Sequence, residues 1–446
     1  MAAKRILIVG AGHVGLYTAL RLSRKLSLRE AEVTVVDPQP HMTYQPFLPE
    51  SAAGNISPRH SVVPLRHELK RCHVLAGTVT RIEHARKVAI VQPIVGPDRE
   101  VPYDEIIVAP GSVSRTLPIP GLREHAIGFK TIGEAVYLRN SVLDRLDVAA
   151  TTTDPATRKR ALTFVFVGGG YAGVEALAEM EDMVRYALKD YPEIPATDVR
   201  WVLVEAANRI LPEVGPEMGA YTVVQLTARG IDIRLGVLLQ SCVDGIVRLS
   251  DGDEFAADTI VWTAGVKPHP MLDNTDLPRN PRGAVTCSPT LQVVDAAGQV
   301  LSGAWSAGDC AAVPDLTAPG AFCSPSAQHA VRQARVLADN VAAVVRGRPP
   351  VDYKHKHVGS VAGLGLHKGV AFVYGVKVKG LPAWLMHRTY HMSRIPTLNR
   401  KIRVICDWTL ALFLKREVVA LGSLHDPREP FIEVTPKVRA REEIKV

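Results

Sequence analysis

One local pattern constrains this chain more than any other, and it occurs twice. Lys4 to Val9 (KRILIV) reads as a short buried strand that runs straight into Gly10-Ala11-Gly12-His13-Val14-Gly15, and LYTALRLSRKL then continues with helical periodicity. The next strand, Glu32 to Val36, ends in Asp37, 22 residues after Gly15. Each part of the series has a physical reason. Gly10 permits a tight turn, Gly12 lets the backbone approach a pyrophosphate, Gly15 lets helix and strand pack closely, and the helix N-terminus faces negative charge. Asp37 is placed to accept hydrogen bonds from a ribose.

The second copy begins with the strand Ala161 to Val167 (ALTFVFV). Gly168-Gly169-Gly170-Tyr171-Ala172-Gly173, a helix from near Val174 and a strand, VRWVLV, ending in Glu205 complete it. Two complete series predict two bound dinucleotides and an α/β fold with two Rossmann-like domains. Glu205 would repel a 2′-phosphate and accept a free 2′-hydroxyl, which points to NAD rather than NADP, with Arg209 four residues on as the group that could oppose this. Two sites in tandem suggest FAD at the first and NADH at the second. Ser306-Ala307-Gly308-Asp309 follows the strand-like LSGAW and places Asp309 to hold a flavin's ribityl chain. IIVAPG, with Ala109 and Gly111, and IVWTAG, ending in Gly265, look like the crossover ends of the two domains.

Composition narrows the rest. At 446 residues a prior of about three domains holds, and 47% hydrophobic with 22% charged residues excludes disorder. No run free of charge reaches the ~18 residues that a spanning helix needs; the longest, between Asp315 and Arg332, carries Pro319, Gly320 and Pro325. A cytoplasmic protein without a transmembrane span is expected. Six cysteines, none in a CxxC pair, argue against a zinc site, a dithiol centre or a disulfide framework, and no metal site is expected.

Charge is concentrated at the end of the chain. Residues 346 to 446 hold 19 Lys and Arg against 8 Asp and Glu, while the first 345 hold 34 against 37. A localised basic segment suggests an anionic partner. Between Leu381 and Leu424 the basic residues alternate with apolar ones, and Pro396 divides two helical halves. In the second half Leu398, Ile402, Ile405, Cys406, Leu412 and Phe413 form one stripe, with Arg400, Arg403 and Asp407 facing away. Trp384, Tyr390 and Trp408 are of the type that settles among lipid headgroups, and His387 with His391 reads as a pair of interfacial side chains. The segment is expected to lie on a membrane surface. Packing on the protein's own core, or a homodimer contact, is the alternative; nucleic acid is not expected, because no recognised module surrounds the basic residues.

With these residues in view, the chain resembles the type II NADH dehydrogenases, rotenone-insensitive NADH:quinone oxidoreductases of the two-dinucleotide flavoprotein superfamily. The likeness rests on His41-Met42-Thr43-Tyr44-Gln45-Pro46-Phe47-Leu48-Pro49, Gly173-Val174-Glu175, and Val204-Glu205-Ala206 with Arg209-Ile210-Leu211-Pro212. Ala264-Gly265-Val266, Ala327-Gln328-His329-Ala330 and the basic, tryptophan-bearing C-terminus extend it over nearly the whole chain. The resemblance implies an FAD domain from residues 1–120 and 290–345, an inserted NAD domain from 121–289, and a C-terminal domain from 346–446. It implies hydride transfer from NADH to flavin and two electrons onward to a membrane quinone. Gly10, Gly12, Gly15, Asp37, Pro46, Ala109, Gly111 and Asp309 would serve FAD, and Gly168, Gly170, Gly173, Glu205 and Gly265 would serve NAD. Glu175 would supply a proton, Gln328 would bond a quinone carbonyl, and Pro46 and Leu48 would wall the quinone channel. The enzyme would sit on the cytoplasmic face of the cell membrane.

Three positions depart from the family pattern: Pro110 stands where threonine is usual, Arg332 where a second glutamine is usual, and Tyr171-Ala172 where proline and threonine commonly precede Gly173. Tyr171 would stack near the nicotinamide or pack. Three alternatives share the nucleotide domains. A sulfide:quinone oxidoreductase needs a cysteine in the linker, yet residues 112 to 165 contain none. A ferredoxin-type reductase leaves the C-terminus without a role. A non-catalytic NADH-sensing flavoprotein remains open on the sequence.

Overall fold

The computed structural model describes residues 3–356 and 358–420. Its first sheet has eight strands in the spatial order Gln292–Val294, Val300–Ser306, Glu105–Val108, Lys4–Val9, Ala31–Asp37, His73–Glu83, Val88–Pro93, Arg99–Pro102. The strands from Val300–Ser306 to His73–Glu83 run parallel, and antiparallel pairs extend both edges. Ile6, Leu7 and Ile8 are all buried, which is why Lys4–Val9 is apolar without alternation: both faces of a parallel sheet are covered. The helices His13–Lys25 and Ala327–Val345 pack together, with Thr18 Oγ1 donating to the Ala334 carbonyl at 3.3 Å and Arg21 bonding both oxygens of Asp339 at 2.7 Å.

The second sheet is wholly parallel, in the order Ala126–Gly128, Thr259–Trp262, Thr163–Val167, Arg200–Glu205, Ile231–Leu235. In both sheets the strand that feeds a glycine turn has the next strand on one side and a much later one on the other. Strand order reverses at that point and leaves a crevice at the carboxyl ends. The chain passes between the sheets through Ser112–Ser114 and Val266–Pro268, which pair with each other antiparallel. The return falls earlier than residue 289, because Met271, Leu272, Leu277, Val285 and Cys287 are buried in the first core.

After these domains come three antiparallel strands, Gly359–Gly363, Gly369–Val373 and Val376–Lys379, then the helices Leu381–Arg394 and Leu398–Phe413. The first helix is a core element. It buries Ala383, Trp384, His387 and Arg388, so the expectation that Trp384 reaches headgroups and that His387 is interfacial is corrected. Trp408 also turns inward, its indole N–H donating to Glu50 at 2.8 Å. Arg388 lies between the Trp384 and Trp408 rings, 4.1 and 4.9 Å from their centroids, and bonds Glu50 at 2.8 Å. A guanidinium is the cation suited to that slot, because it stacks on aromatic faces while forking to a carboxylate. The second helix keeps its stripe outward: Leu398, Ile402, Ile405, Leu412 and Phe413 are exposed, while Val404 is fully buried. Residues 421–424 of the expected anchor lie outside the described residues. Among the described residues no helix is long and apolar enough to cross a membrane.

Arg388→Ala should leave the Glu50 carboxylate buried without its cation, a loss of about 3–5 kcal/mol. Phe413→Ser, on the exposed side, should stay within about 0.5 kcal/mol of the parent. Chemical denaturation of the two variants checks this, and equal midpoints would contradict the packing described.

Candidate active site

The first glycine turn is held from both directions. Gly10 has φ +90°, and a Cβ there would come within 2.4 Å of the Ala109 carbonyl oxygen. A Cβ on Gly15 would lie 1.8 Å from the Gly10 carbonyl oxygen, so strand and helix meet at van der Waals limit. Gly12 differs, because nothing in the chain lies within 4 Å of the place a Cβ would take. That open space sits at the N-terminus of the His13–Lys25 helix, whose first amides lack a side-chain cap. Asp37 accepts from the Ala11 amide at 2.6 Å and the Gln39 amide at 2.8 Å. Burial pushes its carboxyl above the usual range, against the pull of those two amides. Two of its roughly four lone-pair positions remain for a ribose.

A cleft of about 490 Å³ opens beside the turn, lined by Gly10, Gly12, Asp37, Gln45, Ser112 and Lys130. Asp309 joins this wall through a relay: Lys130 Nζ donates to Ser112 Oγ at 2.9 Å, and that hydroxyl donates to Asp309 at 2.7 Å. Burial lowers the Lys130 ammonium, which Asp309 and Glu134 oppose. Gly308, with φ +78°, donates its amide to the buried Gln333 side chain at 2.7 Å. Lys130, Ser112 and Gln333 were not singled out as site residues in the sequence, since none carries a local motif. Gly111 has φ +73° and its carbonyl accepts from His269 at 3.1 Å. Pro46 is the second residue of the one-turn Gln45–Phe47 helix, next to Gln45 on the cleft wall.

The second turn repeats the first group for group. Gly168 has φ +114°, Gly170 faces open space, and a Gly173 Cβ would lie 1.9 Å from the Gly168 carbonyl oxygen. Glu205 takes the part of Asp37, accepting from the Gly169 and Ala207 amides. Gly169 has its own reason to lack a side chain, since a Cβ would reach 2.6 Å from Ile210. Arg209 is exposed, and Gly265 turns the chain at φ +88°. Both cradles thus fit a dinucleotide: a free helix N-terminus, a glycine left clear for phosphate, and an acid at the next strand's end.

Glu175, in the helix Tyr171–Ala187, is buried and accepts from the Gly363 amide at 2.8 Å; His387 Nε2 lies 3.0 Å from the same oxygen. Gln328 touches the other end of that strand, its amide N–H donating to the Gly359 carbonyl at 3.1 Å while its oxygen meets His355 Nε2 at 3.1 Å. Four residues of strand separate the two contacts, roughly 13 Å. Glu175 and Gln328 therefore contact the two ends of one strand and do not meet at one point. Tyr171 packs against the second core, and the neighbouring His329 bonds Tyr353 at 2.9 Å as a core residue.

Two glycine cradles of one design, joined by paired crossing strands, define a two-dinucleotide oxidoreductase fold. Residues 4–334 match the pyridine nucleotide-disulphide oxidoreductase family, and the chain belongs to it. Over 92% of its length it is 28% identical to the type II NADH:quinone oxidoreductase Ndh of Mycobacterium tuberculosis, covering 89% of that protein. It is 27% identical to the type II NADH:quinone oxidoreductase of Staphylococcus aureus, over 86% of this chain and 93% of that one. The fold matches the structure of NDH2 from Plasmodium falciparum in complex with NADH with a TM-score of 0.86 at 18% identity, over 93% of this chain and 99% of that one.

Gly12→Ala should fold like the parent yet lose dinucleotide, because the methyl enters only the space a phosphate would take. Gly15→Ala should lose stability outright. Melting curves of nucleotide-free protein beside titrations with dinucleotide separate the two effects; equal melting losses would show that Gly12 is structural as well.

Proposed function

We propose that the chain is a type II NADH:quinone oxidoreductase that holds FAD in the Gly10 cradle and NADH in the Gly168 cradle. The observation that carries this reading is the likeness to enzymes of that name along 92% of the chain, which extends past the two nucleotide domains into the C-terminal helices. When bound, FAD supplies the redox chemistry, taking hydride from NADH and passing two electrons to the quinone. The chain's own residues do the rest. Open amides at Gly12 and Gly170 bind phosphate, Asp37 and Glu205 hold riboses, and Asp309 with Ser112 and Lys130 orients the ribityl end. Glu175 stands as the proton donor on the acceptor side. Gln328 serves a quinone carbonyl through the amide N–H that here donates to Gly359, and Pro46 lines the approach, while Leu48, expected beside it, is packed into the second core. A sulfide-oxidising role finds no support: Cys310 is fully buried among backbone carbonyls, and burial pushes its thiol up to about 11.

Glu205 is already committed to two turn amides, so a 2′-phosphate would meet a fixed negative charge. NADH should exceed NADPH in kcat/KM by roughly tenfold or more, about 1.4 kcal/mol per tenfold. Glu205→Gln should narrow the gap, and parity in the parent enzyme would overturn the assignment. NADH oxidation with a short-chain quinone as acceptor tests the reaction itself.

We propose further that the enzyme sits on the cytoplasmic face of the membrane as a peripheral protein, a reading supported by the outward apolar stripe of the helix Leu398–Phe413. The same helix carries Arg400, Lys401 and Arg403, and a basic residue close to an anionic surface contributes roughly 1 kcal/mol. Ile402→Glu with Phe413→Glu should abolish co-sedimentation with anionic vesicles and leave the melting temperature unchanged. If the parent does not bind vesicles and instead runs as a dimer that the two changes dissociate, the stripe is a subunit contact.

A further inference from the structure

We propose that the Glu175–His387 ion pair, continued by His391, is the internal route that gives the acceptor its second proton. The proposal deepens the NADH:quinone reading and rests on it. Balance requires such a route: NADH, one proton and quinone give NAD+ and quinol, and hydride carries both electrons but only one of the two protons. The other must come from water.

A row of imidazoles crosses the place where the three parts of the molecule meet. His387 Nε2 is 3.0 Å from Glu175 Oε1, and the His391 ring centroid lies 4.6 Å from that of His387. Tyr44 follows at 6.4 Å from His391, and His13 at 5.6 Å from Tyr44. His13 is the residue after Gly12, so the row runs from the helix of the second cradle to the turn of the first. His13 Nε2 and His387 Nε2 are both buried without a geometric hydrogen-bond partner among the described residues, so that His387 meets Glu175 as a close charge contact.

The three rings are held in different states. Burial disfavours charge on His387, but Glu175 and, behind it, Glu50 and Glu179 outweigh burial and raise its pKa. Burial, then His387 and His13, hold His391 well below the usual value, and burial takes His13 down to about 4 against the pull of Asp309. Arg388 bonds Glu50, Arg394 faces Tyr390, and Tyr17 donates to the Arg394 carbonyl, while the Nε atoms of both arginines are buried without a partner among the described residues. The resulting step is simple. His387 gives its Nε2 proton to Glu175, Glu175 gives one to the reduced acceptor's oxygen, and water reloads His387 past the neutral His391.

His387→Gln, His391→Gln and His387→Lys in the full-length, flavin-loaded enzyme test this. Flavin content and the rate at which NADH bleaches the flavin report whether the fold and the first half-reaction survive. In His387→Gln both should hold, while quinone turnover falls about tenfold or more. Turnover in the parent should decline as pH rises through the raised His387 pKa; His387→Gln should lose that limb, and His387→Lys should recover turnover with the limb moved to higher pH. His391→Gln should slow turnover without moving the limb. The proposal is overturned if His387→Gln keeps the parent's turnover and pH profile, or if flavin content, bleaching and turnover fall together and lysine does not rescue them. Failure of the parent to reduce any quinone would remove the NADH:quinone reading instead.

Discussion

The carboxylate that closes each glycine turn is the interaction on which the rest depends. Asp37 and Glu205 each end the strand that follows the glycine turn and its helix, and each bonds the amide just after the first glycine of its turn. Without that bond the turn amide would be a buried donor lacking a partner, a cost of about 1–3 kcal/mol. With it, three segments are locked: the end of one strand, the turn, and the end of the next strand. The helix then starts at a fixed place with its first amides free, and the crevice at the strand ends has a floor. An amide side chain could not accept both bonds, because the two backbone amides meet different carboxylate oxygens and one of these would become an NH2 donor facing an N–H.

A second cluster ties the C-terminal segment to both nucleotide domains. Glu50, Glu179, Arg388 and Arg416 are withdrawn from water between the Leu48–Ala52 helix, the Tyr171–Ala187 helix and the C-terminal helices. Buried ion pairs stabilise little in total, since desolvation offsets most of the Coulomb energy. What they supply is discrimination: Asn55 donates to Glu179 at 2.7 Å and Trp408 to Glu50 at 2.8 Å, and a shifted helix would strand these charges. The exposed stripe of the last helix is presented at a set angle as a result.

How far the sequence reveals this structure depends on how local each signal is. Both cradles were legible because the glycines, helix and acid fall within one short stretch whose spacing is fixed by strand and helix length. Lys130 and Ser112 were not, because their relay to Asp309 joins distant parts of the chain that become neighbours only at the crossing. His387 and His391 were misread for a related reason. On a helix with basic residues and no nearby acid, histidine looks solvent-facing; the acid, Glu175, arrives from another domain. The apolar stripe of Leu398–Phe413 was correct as periodicity, yet its inner face, with Val404 and Trp408, shows that one helix can be half core and half surface. The early return to the first core had no signal, because residues 266–289 carry short apolar runs that either domain could have buried.

The spacing of the two cradles is set at separate places, and this decides what motion the fold allows. At the crossing, Arg115 donates to the Gly265 carbonyl and His269 to the Gly111 carbonyl, both at 3.1 Å, while the Trp262 indole reaches the Arg115 carbonyl at 2.9 Å. Paired strands of three residues resist shear but leave twist about their own axis, so alone they would act as a hinge. The chain beyond the last helix removes that freedom. Arg416 bonds the Ala53 carbonyl of the first domain at 2.9 Å and its amide meets Tyr186 of the second at 3.3 Å; Arg139 of the second holds the Glu417 carbonyl at 2.8 Å. A hinge at one end and a strap at the other together resist rotation of one nucleotide domain against the other.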